Sequence, residues 1–508
     1  MLTKTFSSSV FGIEATIITI EVNQSIGINF FLVGLPDVAI KESHQRIKAA
    51  FKNNNLKFPG KELTINLAPA GIRKEGSNYD LPIAIGILAA SEQVSTLKLS
   101  DYLIIGELSL DGTLQPVRGA LPIAIQARKE GFKGIILPEI NAEEAEVVTG
   151  LETIGVQNIN DVINFLNDEN ARPKPIKTES PNRNFSGIGI EDFSEVKGQF
   201  TVKRAFEIAA AGGHNLILIG PPGSGKSMLA KRLPSILPKM SLDESLETTS
   251  IHSVAGKVKK EIGLITQRPF RKPHHSISDA GLIGGGSYPQ PGEISLAHNG
   301  VLFLDELPEY KRSVLEVMRQ PLEDRTVTIS RARFSVEYPA SFMLIAAMNP
   351  CPCGYHGHPE KTCSCGPGIV QRYLNRISGP LLDRIDLHVE VSPVKFDELS
   401  NDIPGEKSTA IRNRVERTRT IQEGRYEKKA GMYCNAQMQK REIENFCKLD
   451  DNGKSLLKNA MDKMNLSARA YDRILRVART IADLESSNDI QTQHIAEAIQ
   501  FRSLDRMG

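Results

Sequence analysis

Hydrophobic and polar positions alternate most clearly near the start of the chain. ATIITIEV (15–22) reads apolar, polar, apolar, the period of a half-buried strand. FFLVGL, LTINLA, YLIIGEL and GIILP follow as further strand-like runs, with helical stretches between them, so residues 1–170 read as an α/β domain. The polar, Pro-rich stretch ARPKPIKTESPNRNFSG (171–187) has no apolar periodicity and reads as a linker. A second α/β region runs from 188 to 393. From 394 to 508 the pattern becomes helical, with few glycines and few β-branched runs. No internal repeat or low-complexity tract is present.

Within the second region three apolar runs matter. Leu216 to Ile219 leads into a Gly-rich turn and a helix, Gly300 to Leu304 ends in two acids, and Phe342 to Met348 ends at Asn349. TVTISRARFSVEYPA (326–340) alternates, breaks at Arg331-Ala332-Arg333 and alternates again, which predicts a β-hairpin with a basic tip.

Composition narrows the class. A chain of 508 residues suggests roughly three domains. The net charge of +2 gives no general affinity for nucleic acid, so any such surface must be local. Six cysteines in this length do not form a secreted disulfide scaffold. The first residues lack a leader-like apolar core, and no run approaches the ~18 apolar residues of a membrane span. A cytoplasmic protein with no membrane partner is expected.

The chemistry starts at NLILIGPPGSGKSMLAKRL (215–233). Gly220, Pro221, Pro222, Gly223, Ser224, Gly225, Lys226 and Ser227 form a phosphate loop in its strand–loop–helix setting. Backbone N–H groups can converge on the phosphates of ATP, Lys226 can reach the β- and γ-phosphates, and Ser227 can ligate Mg²⁺. Asp305 at a strand end can also hold Mg²⁺, and Glu306 beside it can polarise a water for attack. Asn349 ends the third strand, where an amide can orient that water.

This series, followed by SGPLLDRIDLHVEV (378–391), resembles an AAA+ ATPase of the magnesium-chelatase subunit I and MCM type over about 190–508. The resemblance makes Arg384 the arginine finger that completes a neighbour's ATP site. In LSARAYDRILRVARTIADL it makes Arg469 the sensor-2 residue, with Arg476 seven residues on and Arg473 as the alternative. A finger acting in trans requires an oligomer, and the resemblance implies a homo-hexameric ring. RPFRKPHHSISDAGLIGGGSYPQPGE (268–293) falls where these relatives carry a helix-2 insert, and 326–340 where they carry a pore hairpin. Lys272, His274, His275, Arg331 and Arg333 are then expected to bind DNA phosphates, against the alternative of a solvated loop and hairpin packed between subunits.

The first domain resembles the proteolytic domain of Lon, with departures. Lys74-Glu75-Gly76-Ser77-Asn78-Tyr79-Asp80 places Asn78 where Lon has its nucleophilic Ser, and Arg118-Gly119-Ala120-Leu121 places Leu121 where Lon has its Lys. A Ser–Lys dyad needs both groups, so a non-proteolytic Lon-like fold is expected. The whole architecture, with a helical lid at the end, resembles the YifB/ComM family. That resemblance implies ATP-driven branch migration on single-stranded or branched DNA during the recombination of natural transformation, with a recombinase or other recombination protein as a further implied partner. A magnesium-chelatase motor for metal insertion into porphyrin, and a regulatory ATPase without DNA activity, are the competing readings. The basic run 411–429 reads as a charge-laced solvated helix.

Four of the six cysteines fall in CPCGYHGHPEKTCSC (351–365). In a reducing compartment four thiols favour a metal over disulfides. A structural Zn²⁺ ligated by Cys351, Cys353, Cys363 and Cys365 is expected, with His356 or His358 able to replace one thiol.

Overall fold

A computed structural model describes residues 2–72, 74–168, 191–258, 263–286, 289–331, 334–358, 360–394, 405–426, 432–464 and 466–502. The linker expected at 171–187 lies outside them. The chain divides into two compact units, one of residues 1–184 with 242–265, the other of 185–241 with 266–508.

The first unit is built on a seven-stranded mixed sheet. Its order is Phe30–Val33, Glu62–Ala68, Glu14–Ser25, Leu2–Phe11, Tyr102–Ile104, Gly134–Pro138, Glu152–Val156. The first two strands of the chain form an antiparallel hairpin, in register from Leu2 opposite Asn23 to Phe11 opposite Glu14. The alternation in 15–22 does bury one face: Ile18, Ile20 and Val22 join Leu63, Ile65 and Leu67 in one core cluster. Against that face lies the helix Asp80–Ala90, all of whose residues are buried, as an all-round apolar helix must be. Its one charge, Asp80, is paired with Arg46 at 2.6 Å.

A segment of the expected ATPase block also belongs to this unit. The chain leaves the second unit after Ser241 and returns at Thr266. The intervening helix Leu242–Val254 packs on the helix Ala120–Lys129, and Ser253 O accepts Gly119 N–H at 3.3 Å. The block 188–393 is therefore not one continuous body.

The second unit carries a five-stranded parallel sheet, ordered Phe270–Arg271, Val301–Leu304, Met343–Met348, Leu216–Ile219, Leu387–Glu390. The LILI, VLFL and MLIAAM strands are buried throughout, as expected for parallel strands covered on both faces. Parallel strands bring their C-terminal ends to one edge, where ligands bind in open α/β sheets. Helices Ser408–Tyr426, Lys440–Phe446, Asp451–Met464, Ala468–Leu484 and Thr492–Gln500 make the C-terminal part. Ile474, Leu475, Val477, Ala478 and Ile481 share one core cluster with Leu216 and Leu218. The helix over the basic run is less solvated than expected. Arg412 bonds Ser235 O, Arg414 pairs with Glu207 and Glu406, Arg419 bonds Ala210 O, and Arg425 pairs with Asp483.

Candidate nucleotide-binding site

The phosphate loop begins where Leu216–Ile219 leaves the sheet. Gly223 and Gly225 adopt φ of 79° and 87°, values L-residues with side chains rarely take. A Cβ on Gly223 would meet nothing within 4 Å, while one on Gly220 would lie 2.3 Å from Val391 O. The loop is thus tight against the sheet at its start and open at its crest, as close approach of backbone to phosphate requires.

The side chains from three strand ends converge there. Lys226 Nζ donates to Gly220 O at 2.7 Å, Pro221 O at 2.9 Å and Asn349 Oδ1 at 3.1 Å. Burial lowers the Lys226 ammonium below its ordinary value, while Asp305 and Glu306 pull it upward. Ser227 Oγ donates to Asp305 Oδ2 at 2.7 Å. Burial alone would raise the Asp305 carboxyl, but hydrogen bonds from Lys272 and Ser227 outweigh it and hold the group below its usual range. An ionised carboxylate and a hydroxyl side by side suit Mg²⁺, a hard cation that prefers oxygen. Glu306, one residue on, has φ of 53°, and its side chain is 60% exposed. The strand end therefore separates the two acids, one in the cradle and one facing solvent.

Two residues expected on DNA make ion pairs with the acids of the site. Lys272 Nζ pairs with Asp305 Oδ2 at 2.9 Å, and His275 Nδ1 lies 3.5 Å from Glu306 Oε2. The cause is a two-residue strand. Phe270–Arg271 pairs with Val301–Leu302, so the residues after it run beside the end of the acid strand. Both residues expected on DNA are thus engaged with the two acids in this structure. His274 is exposed and bonds Ser276 Oγ at 2.8 Å. Arg331 ends the strand Thr326–Arg331, opposite Phe334 in the expected hairpin; Arg333 lies outside the described residues.

The expected finger and sensor arginines differ in setting. Arg384 is 6% exposed, pairs with Glu323 at 2.6 Å and donates to Pro380 O at 2.6 Å. Its Nε is buried without a hydrogen-bond partner. Arg469 is exposed in the first turn of Ala468–Leu484. Arg473, the alternative sensor, pairs with buried Asp386, which also accepts Asn215 N–H at 2.9 Å. That engagement makes Arg473 a tie between the helix and the sheet.

The four cysteine sulfurs lie within 4.8 Å of one another. Sγ separations are 3.3 Å for Cys351–Cys353, 3.5 Å for Cys353–Cys363 and 3.7 Å for Cys351–Cys363. Four thiolates about 2.3 Å from a tetrahedral Zn²⁺ stand about 3.8 Å apart, so the cluster fits that ion. Backbone N–H groups of His356 and Cys365 point at Cys351 and Cys363 sulfurs, at 3.3 and 3.4 Å. His358 Nδ1 accepts Glu360 and Lys361 N–H groups, and the cluster comprises thiols alone among the described residues.

In the first unit, Ser77 Oγ donates to Glu107 and Leu121 is fully buried. Lys74 is buried, with its ammonium on the carbonyls of Gly34 and Pro69.

Comparison with known proteins agrees with this geometry. "Magnesium chelatase, subunit ChlI" matches residues 192–399, its C-terminal family 405–502, and "Subunit ChlI of Mg-chelatase" 20–141. The competence protein ComM of Haemophilus influenzae is 45% identical over 99% of this chain and 97% of its own length. YifB of Escherichia coli is 45% identical over 98% and 96%. This chain belongs to the YifB/ComM family of magnesium-chelatase-like AAA+ proteins. The Mycobacterium tuberculosis protein Rv2897c is also similar, at 39% identity over 99% of this chain and 98% of its own length. Membership makes the chain an ATPase of the YifB/ComM family, with ATP and Mg²⁺ as its ligands, and Lys226, Ser227 and Asp305 fit that pair. No helix among the described residues is long and apolar enough to cross a membrane.

Two features escaped the sequence reading. A two-residue strand has too little periodicity to reveal Lys272 beside Asp305. The contact between the cysteine loop and the phosphate loop, through Gly354 and Pro222, joins residues far apart in sequence and left no local signal.

Proposed function

We propose that this protein is a cytoplasmic, ATP-driven, hexameric DNA translocase that promotes branch migration during the homologous recombination of natural transformation. The observation that carries it is the convergence of Lys226, Ser227, Asp305 and Asn349 at one sheet edge, in the same unit as the hairpin Thr326–Pro339. The name of the Haemophilus relative, a competence protein, supports the biological setting.

In this reading the loop amides and Lys226 hold the phosphates, Ser227 and Asp305 hold Mg²⁺, Glu306 polarises water and Asn349 aligns it. Mg²⁺ supplies charge neutralisation at the phosphates. Arg384 leaves Glu323 to reach the neighbouring subunit, and Arg469 senses nucleotide from its exposed turn. Arg331 and Arg333, with His274, follow the DNA backbone. Cys351, Cys353, Cys363 and Cys365 hold a structural Zn²⁺. The first domain is a non-proteolytic Lon-like fold, consistent with Ser77 on Glu107 and Leu121 in the core.

A labelled branched DNA tests it. Purified protein with ATP and Mg²⁺ should move the branch point, and Lys226→Ala should not. The chelatase reading is favoured by the family matches at 20–141, 192–399 and 405–502; it predicts ATP turnover indifferent to DNA and no branch movement.

A further inference from the structure

Asp305 already carries a cation. Its Oδ2 atom accepts both Ser227 Oγ at 2.7 Å and Lys272 Nζ at 2.9 Å. Ser227 and Asp305 are the pair suited to Mg²⁺, so Lys272 neutralises the very oxygen that a divalent ion would use. An ammonium and Mg²⁺ on one carboxylate oxygen repel strongly at such distances, and the two are in competition for it.

The surroundings allow Lys272 to yield. Its side chain is 39% exposed, and its ammonium lies 5.1 Å from the Phe303 ring centroid, so the flexible stem has a path to water. The backbone on either side is anchored. Arg271 holds Glu293 through two bonds of 2.6 and 2.7 Å, and Pro273 O accepts the Tyr310 hydroxyl at 2.7 Å. Exchange is therefore a movement of one side chain between fixed neighbours.

We propose that Lys272 is an internal counter-ion for Asp305, which holds the carboxylate in place before nucleotide arrives and competes with Mg²⁺ for it. Lys272 is thus a positioning residue that sets how much Mg²⁺ the site demands. The inference rests on the nucleotide-site reading above and replaces the DNA role expected for Lys272.

Binding of a fluorescent ADP, followed by anisotropy as free Mg²⁺ is raised, tests it in the full-length protein. Lys272→Met keeps a flexible apolar side chain at this position and removes the charge. Loss of a part-exposed ion pair should lower the half-saturating Mg²⁺ by about threefold to fivefold, and Lys272→Arg should stay near wild type. Lys272→Gln gives the same readout should the Met variant fold poorly. An unchanged or raised Mg²⁺ requirement in the neutral variants, with wild type binding normally, overturns the counter-ion role alone. A wild-type protein that binds no nucleotide at any Mg²⁺ concentration overturns the site reading and this inference together.

Discussion

Gly354 of the cysteine loop packs directly on Pro222 of the phosphate loop: a Cβ on Gly354 would lie 2.3 Å from Pro222 Cδ and 2.7 Å from its Cγ. Gly354 also has φ of 84°, so any side chain there meets both a strained backbone and a rigid ring. Cys351 begins this loop two residues beyond Asn349, which bonds Lys226. The cysteine loop therefore touches the phosphate loop directly and joins the strand that supports it from the other side. Gly354→Ala should displace the phosphate loop and weaken nucleotide binding, with overpacking costing about 1–3 kcal/mol. Bound zinc should stay at wild-type content. Calorimetric nucleotide titration beside metal analysis checks both; unaltered affinity would show that the contact is incidental.

The proposed zinc gives a second expectation. Protein purified without chelator should hold one zinc per chain, and Cys363→Ser should lose it. A buried Cys351 and N–H groups aimed at sulfur give the proposed ion a preformed place in the loop. Removal of zinc should thus loosen the phosphate loop as well, read as faster proteolysis within 351–365 and poorer nucleotide binding. Zinc-free protein with intact nucleotide affinity would contradict this.

Asp386 and Arg473 make a third case. Burial alone would raise the Asp386 carboxyl, but Arg473 and His214 hold it well below the usual carboxylate range. A depressed folded pKa gives stability that is fully present above the unfolded value, about 3.9, and is lost as pH falls toward the folded one. Arg473→Met removes the arginine paired with that buried carboxylate, leaving it the Asn215 N–H and His214, and should destabilise by about 3–5 kcal/mol near neutral pH. Denaturant unfolding at pH 7 checks the magnitude. The Met variant's Asp386 also loses its main reason to stay ionised, so its deficit should shrink in acid. A loss under 1 kcal/mol would mean that Asn215 N–H and His214 hold the carboxylate without Arg473.

Arg384 and Lys226 can be separated by mixing subunits. Arg384→Ala should bind nucleotide normally but hydrolyse it poorly if, as proposed, its guanidinium serves a neighbour's site. Lys226→Ala should lose binding in its own site yet still offer its finger. Mixed rings contain some interfaces with an intact Lys226 facing an intact Arg384, so ATP turnover should recover partly. Turnover no higher than the sum of the separate variants would place Arg384 outside the neighbour's site.

Much of this site was legible because its chemistry lies at strand ends with local punctuation. GPPGSGKS follows LILI, and Asp305 and Asn349 each follow a buried apolar run, so their places at strand ends were readable, although the phosphate-loop strand Leu216–Ile219 precedes the other two along the chain and lies fourth in the sheet. The hairpin Thr326–Pro339 was readable from period-two alternation. The illegible parts are those set by partners distant in sequence. The helix Leu242–Val254 buries Glu244, Ser245, Thr248, Thr249, Ser250, His252 and Ser253, and such a polar sequence carries no apolar stripe to show that it packs with the first unit. Arg412, Arg414 and Arg419 looked like a solvated face because their acceptors, Ser235 O, Glu207 and Ala210 O, lie some two hundred residues earlier. Lys272 offered the sequence only its charge, because tertiary pairing alone brings it to Asp305.

The central claim is that ATP hydrolysis at Lys226, Ser227, Asp305 and Glu306 is coupled to DNA held by the hairpin. Its most direct test is steady-state ATP turnover at about 50 mM salt, where phosphate contacts are strong, with and without single-stranded or forked DNA. The account predicts stimulation by DNA in wild type, loss of that stimulation with basal turnover retained in Arg331→Ala/Arg333→Ala, and no turnover in Lys226→Ala. Turnover that is the same with and without DNA, in a wild-type protein that hydrolyses ATP, would contradict it.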